Sequence, residues 1–264
     1  MNFFTRHKGP SIGYCRLCGN YTKFSQDHIP PKSCSNNGIY IIKNLMDNKQ
    51  TLRANNGVTF WSICAKCNNE GLGPLDFELS IFAKHVSDYL KAKSLGLTFN
   101  NGYKISVPSK KIIQCIAGHI LAAHDLPSQF ADKLNHFNYP YLTILHKLYD
   151  GENLPRVTIG VWIHNYATVN IYPSAGITSF GAKQPTSLLS TISFFPLGFM
   201  IIERRYAPKE IPFFRLRTDT QKMNIDLTKL KIKSARYPYD SLGNEIIALN
   251  HNHVYTAEKL LKIF

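Results

Sequence analysis

Four of the six cysteines stand in two Cys-x-x-Cys pairs, Cys15-Arg-Leu-Cys18 and Cys64-Ala-Lys-Cys67. Four thiolates delivered as two pairs suit a closed tetrahedral zinc ion, a structural rather than a catalytic arrangement. Between the pairs lies Asp27-His28-Ile29-Pro30-Pro31. At the end of a short strand, an adjacent acid and imidazole point in nearby but different directions. The carboxylate can hold a hard cation, and the imidazole can take a proton from water. Pro30 and Pro31 force the backbone out of helical space, which leaves His28 where the strand ends. Directly after the second pair come Asn68-Asn69-Glu70. They place an amide oxygen and a carboxylate at the start of a helical turn, and a zinc ion would tie that turn to the Asp-His strand.

Each of these residues also has a plainer reading. Asp27-His28 can alternatively be a surface turn pair and Asn68 a helix N-cap, while Glu70 reads at least equally as a first-turn acid favoured by the helix dipole. Cys34 and Cys115 read as small core residues. His119 and His124 read as packing or surface residues of a helix, and the contiguous His251-Asn252-His253 as loop.

The elements that must position these groups follow from pattern. Ile39–Leu45 and Val58–Ile63 read as short strands, with Asn56-Gly57 as a hairpin turn before the second. Pro74 can open a helix, and Leu75, Leu79, Phe82, Val86 and Leu90 recur at helical spacing on one face. Gly71, Gly73 and Pro74 lead us to expect a break between that helix and the turn after Cys67. A second helix is predicted from Lys110 to His124 and a shorter one from Pro127 to about His136. From Arg156 the character turns to β. Val157–Tyr172, Ser187–Phe195, Phe199–Arg205 and Phe213–Arg217 are rich in β-branched and aromatic residues. Thr256–Phe264 reads as a C-terminal helix. The fold class expected is α+β: a zinc-knuckle unit over residues 1–90, then a helical connector and an antiparallel α+β domain over 91–264.

Composition narrows the function classes. With 264 residues, 44% apolar and 12% aromatic, the chain can bury a core, which excludes global disorder. No apolar run is long enough to span a bilayer. The first residues carry no apolar signal segment, so we expect a cytoplasmic protein in which disulfides are unfavoured and Cys-x-x-Cys reads as metal first. Lys and Arg number 31 against 17 acidic residues, a net charge of +14. Such a surplus favours a polyanion as partner, nucleic acid foremost.

In this order, Cys-x-x-Cys, Asp-His-Ile-Pro-Pro and Cys-x-x-Cys-Asn resemble the HNH endonuclease superfamily with its ββα-metal fold. The Asn straight after the last Cys is similar to the H-N-N variant of phage endonuclease VII. The resemblance spans about residues 12–80. It implies Cys15, Cys18, Cys64 and Cys67 as structural Zn²⁺ ligands, Asp27 and Asn68 as ligands of a catalytic Mg²⁺ or Mn²⁺, and His28 as general base. Glu70 would match an acid that follows the Asn in that variant, at a shorter offset. The family's middle Asn has Asn56 as its candidate, which the hairpin turn explains equally well. The activity implied is metal-dependent hydrolysis of DNA phosphodiester bonds, by nicking or double-strand cleavage.

Residues 91–264 carry most of the basic excess, a net +10 against +4 for residues 1–90. Arg204, Arg205, Arg215, Arg217, Lys231 and Lys233 are the candidate nucleic-acid contacts, with a solvated sheet edge as the plainer reading. A module of this kind beside an HNH unit resembles effector subunits of bacterial antiphage systems. Other subunits of such a system, or a second copy of the chain, are therefore expected partners. Two further functions fit the same residues: a non-catalytic zinc-containing nucleic-acid-binding module, and an RNA-cleaving toxin.

Overall fold

A computed structural model describes residues 9, 11–44, 47–124, 140–179, 187–203, 214–235, 237, 245–249 and 255–260. Two short strands, β1 (Ile12–Tyr14) and β2 (Tyr21–His28), form a hairpin, and β2 also pairs with β5 (Thr59–Cys64) to complete a three-stranded antiparallel sheet. The chain between β2 and β5 makes a second hairpin, β3 (Tyr40–Asn44) with β4 (Asp47–Ala54). After β5 the chain turns into a helix. Residues Cys67–Leu72 form a π turn that runs without a break into α1 (Gly73–Ser94).

The expected break at Gly73-Pro74 is therefore absent, for a reason that lies in the proline. Pro74 lies at the junction, where the π turn already departs from the regular i→i−4 ladder that a proline would interrupt. The wider turn before it lets the Gly73 N–H reach back five residues to the Asn68 carbonyl. The apolar face read in the sequence is realised: Leu79, Phe82 and Val86 are buried, and Leu75 and Leu90 pack against the core.

β6 (Lys104–Val107) leads into α2 (Ser109–Ala123), which is followed by α3 (Pro140–Tyr149). From Cys115 to Ala123 every residue of α2 is buried, and the helix packs against α1, α3, β5, β8 and β9. Gly118 permits the close approach, because a Cβ there would meet Leu72 and the Tyr149 ring. The predicted helix from Pro127 to His136 lies outside the described residues.

The remaining strands are β7 (Val157–Ile163), β8 (Thr168–Ser179), β9 (Ser187–Phe194), β10 (Leu197–Glu203), β11 (Phe214–Leu216), β12 (Met223–Asp226), β13 (Glu245–Leu249) and β14 (Tyr255–Lys259). Nine strands make one antiparallel sheet in the order β11-β7-β10-β9-β8-β14-β3-β4, with β13 also on β8; β12 pairs with β6. β7 and β10 are buried along nearly their whole length, which explains their unbroken apolar sequence.

Two features depart from the sequence reading. Residues 255–259 are a strand rather than the start of a C-terminal helix, because β14 is hydrogen-bonded on both sides, to β3 and to β8. The β3–β4 hairpin, which lies between the two cysteine pairs in sequence, joins the large sheet through β14. Among the described residues, no helix is long and apolar enough to cross a membrane.

Candidate functional site

The two cysteine pairs meet. Sulfurs of Cys15, Cys18, Cys64 and Cys67 all lie within 4.8 Å of one another. A zinc ion with Zn–S bonds of about 2.3 Å sets tetrahedral sulfurs roughly 3.8 Å apart, so the donor set fits structural zinc with a small contraction. The backbone is arranged for thiolates: the Cys64 N–H donates to Cys15 Sγ at 3.3 Å, and the Cys67 N–H to Cys64 Sγ at 3.4 Å. A hydrogen bond from Cys67, with backbone donors, lowers Cys15 to about 4 despite its burial, and the same contact pushes Cys67 up. Four crowded sulfurs compete for negative charge, and a dication relieves that competition. The cluster brings together the turn before β2, the end of β5 and the start of the π turn, a ββα-like arrangement compatible with a zinc site.

β2 presents the acid and the imidazole in opposite senses. Its register shifts at Ser25/Gln26. Beyond that bulge Asp27 turns inward, 2% exposed, while His28 is half-buried. His28 Nε2 lies 3.0 Å from the Asn56 carbonyl. A carbonyl only accepts, so Nε2 carries the hydrogen and a neutral His28 keeps its lone pair on Nδ1.

The loop that holds this end of β2 is pinned by Asn36, a residue that no sequence pattern singles out. Fully buried, Asn36 donates from Nδ2 to the carbonyls of Pro30 (2.6 Å) and Val58 (2.9 Å), and its Oδ1 accepts from the Val58 N–H at 2.7 Å. Gly57 sits under it at φ +82°, and a Cβ there would collide with the Asn36 carbonyl. Asn56, the sequence candidate for the family's middle Asn, instead contributes its backbone carbonyl to His28.

Asp27 faces partners that the sequence did not connect to it. Its Oδ2 is 3.5 Å from Nδ1 of the fully buried His119 of α2, and His119 Nε2 is 2.8 Å from Oδ1 of Asp76 on α1. Cys115 Sγ lies 3.4 Å from the same Asp76 oxygen. β5 is fastened to α2 by the Ser62 hydroxyl, which donates to the Ala122 carbonyl at 2.6 Å. Burial alone would lower His119, but Asp76 first, with Cys115 and Asp27 beside it, holds it well above the usual histidine range. Burial raises Asp27 against the opposing pull of His119, and pushes the Cys115 thiol up to about 12. No local signal marks this group. Asp76 follows Pro74 like any first-turn acid, and His119 sits on an apolar helix 43 residues away.

Asn68 lies alongside β2 but is turned to other partners than Asp27. Its Nδ2 donates to Ser25 Oγ and to the Gln26 carbonyl, each at 3.1 Å. Glu70 is exposed on the π turn.

The basic candidates are spread along sheet edges. Arg204 and Arg205 lie outside the described residues. Arg215 and Arg217 are both exposed on either side of buried Leu216, and Arg217 is bound bidentately by Asp219 at 3.0 and 2.9 Å. Lys231 is exposed, and Lys233 Nζ stands 4.8 Å over the Tyr237 ring. Around them, backbone bonds from Ile163 to Lys231 and from Lys233 to Ile163 lay this segment against β7.

Compared with protein-family models, curated proteins and solved structures, the chain finds no match.

Proposed function

We propose that the chain is an HNH-type endonuclease that hydrolyses phosphodiester bonds of DNA, with His28 as general base. The observation that carries the reading is the His28 Nε2 contact to the Asn56 carbonyl, which leaves Nδ1 as a proton acceptor at the end of β2. The cysteine cluster supports it by fixing β2, β5 and the π turn together.

In this reading His28 removes a proton from the attacking water while the backbone carbonyl stabilises the imidazolium that forms. Asp27 and Asn68 would hold Mg²⁺ or Mn²⁺. A carboxylate and an amide oxygen are the chemistry a hard cation takes, but the two do not converge as they stand: Asp27 is buried with Oδ2 3.5 Å from His119 Nδ1, and Asn68 gives its amide nitrogen to Ser25 and Gln26, so both side chains would have to turn to share an ion. When bound, the ion supplies charge stabilisation at the scissile phosphate. Glu70, on the same turn, would orient water. The exposed Arg215, Arg217 and Lys231 and the half-buried Lys233 would contact backbone phosphate. A role in antiphage defence, with further subunits or a second copy as partners, accompanies this reading by analogy of architecture alone.

The enclosure of Asp27 favours one second reading, a zinc-stabilised DNA-binding module without chemistry. Supercoiled plasmid separates the two. The wild type with Mg²⁺ or Mn²⁺ should yield nicked or linear product, EDTA should stop it, and His28→Ala should lower the rate by at least about a hundredfold. Plasmid left intact by both proteins, yet retarded equally on a gel, would favour the binding module. Cleavage of RNA but not of plasmid would reassign the substrate.

A further inference from the structure

We propose that Asp76, Cys115 and His119 form a second transition-metal site, of the zinc class, with Asp27 as the carboxylate that orients His119. Three different donors from two helices converge there: Asp76 Oδ1, Cys115 Sγ and a His119 ring nitrogen, all within 4.8 Å of one another. The His119 Nε2 to Asp76 Oδ1 edge is 2.8 Å and the Cys115 Sγ to Asp76 Oδ1 edge 3.4 Å. Bonds of about 2.0–2.3 Å to a tetrahedral ion open such edges to roughly 3.3–3.6 Å, a shift of half an ångström or less. Thiolate, imidazole and carboxylate together are borderline donors, which select Zn²⁺, Co²⁺ or Fe²⁺ over Mg²⁺.

The second, independent observation lies behind the histidine. His119 Nδ1 and Asp27 Oδ2 are both buried with no hydrogen-bond partner, and they face each other at 3.5 Å. A histidine that ligates through one nitrogen gives its other N–H to a carboxylate, which fixes the ring. Asp27 occupies that place, on the strand that ends in His28. Cys115 and His119 are fully buried, whereas Asp76 is 21% exposed. Three protein ligands with one side near solvent leave a fourth position for water, unlike the closed four-sulfur cluster.

The site goes beyond the proposed nuclease activity, and its test is blind to activity. The full-length protein is stripped, reloaded with Co²⁺ and freed of loose metal by gel filtration, and the bound ion is counted. The wild type should hold two ions per chain. Cys115→Ala and His119→Gln should hold one, with cobalt–thiolate absorption of the four-cysteine cluster retained. Asp76→Asn, the variant least exposed to misfolding because its residue reaches solvent, should bind the second ion at least about tenfold more weakly. Asn68→Ala should still hold two. A saturated wild type with one ion per chain overturns the site irrespective of how any variant folds. So does a second ion that survives in both Cys115→Ala and His119→Gln.

Discussion

His119 Nε2 lies 2.8 Å from Asp76 Oδ1, joining the middle of α2 to the first turn of α1. The contact does more than pack two helices. It places the buried His119 ring beneath the strand that carries Asp27 and His28, so the candidate site is supported from outside the segment bounded by the cysteines.

Removing one partner of this pair should be costly. Asp76→Ala leaves a buried imidazole without its closest carboxylate, a loss of roughly 3 kcal/mol. Urea unfolding of the purified protein measures it. A change below about 1 kcal/mol would mean that the Asp76–His119 contact adds little to the packing of the two helices.

Asn36 gives a sharper comparison. Asn36→Ala strips partners from the Val58 N–H and the Pro30 carbonyl, costing about 3 kcal/mol. Asn36→Asp keeps the size but turns a carboxylate toward the carbonyls of Pro30 and Val58, so it should be at least as damaging. If the aspartate variant were as stable as wild type, the pinning role would be wrong.

The two variants illustrate what the sequence could and could not reveal. The cysteine pairs were legible because spacing alone constrains them, and their sulfurs do converge. So was the buried face of α1, since Leu79, Phe82 and Val86 obey a local period. Asn36 was hidden because a buried pinning amide and a turn amide share one composition. β14 was misread because its conformation is imposed by neighbours: Glu258 pairs with Lys43 at 3.1 Å across 215 residues. Asp76 and His119 likewise acquire meaning only once α1 and α2 are packed.

If the four-cysteine cluster holds zinc, removing the ion should act locally before it acts globally. A structural zinc site contributes on the order of 10 kcal/mol to the fold it closes. A strong chelator, or Cys18→Ala, should therefore raise amide exchange in β1, β2 and β5 by more than a hundredfold, while β7, β9 and β10 keep their protection. Hydrogen exchange read by mass spectrometry resolves these segments. Uniform loss across both sheets would show instead that the cysteine cluster supports the whole molecule.

His164 should make the protein acid-labile in a defined window. The ring is 1% exposed, its Nε2 lies 3.0 Å from Thr168 Oγ1 and 3.2 Å from the Thr168 carbonyl, and burial lowers its pKa to about 4. The unfolded chain, with an ordinary histidine near 6.5, takes up the proton first as the pH falls. The stabilisation is thus complete above about pH 6.5 and is lost between there and about pH 4, to an extent on the order of 3 kcal/mol. Other groups titrate in the same range, so the quantity to measure is the difference between wild type and His164→Asn in urea at pH 7.5 and at pH 4.5. That difference should shrink or reverse at the lower pH, because the variant has no imidazole to protonate. Parallel pH dependence of the two proteins would place the acid sensitivity elsewhere.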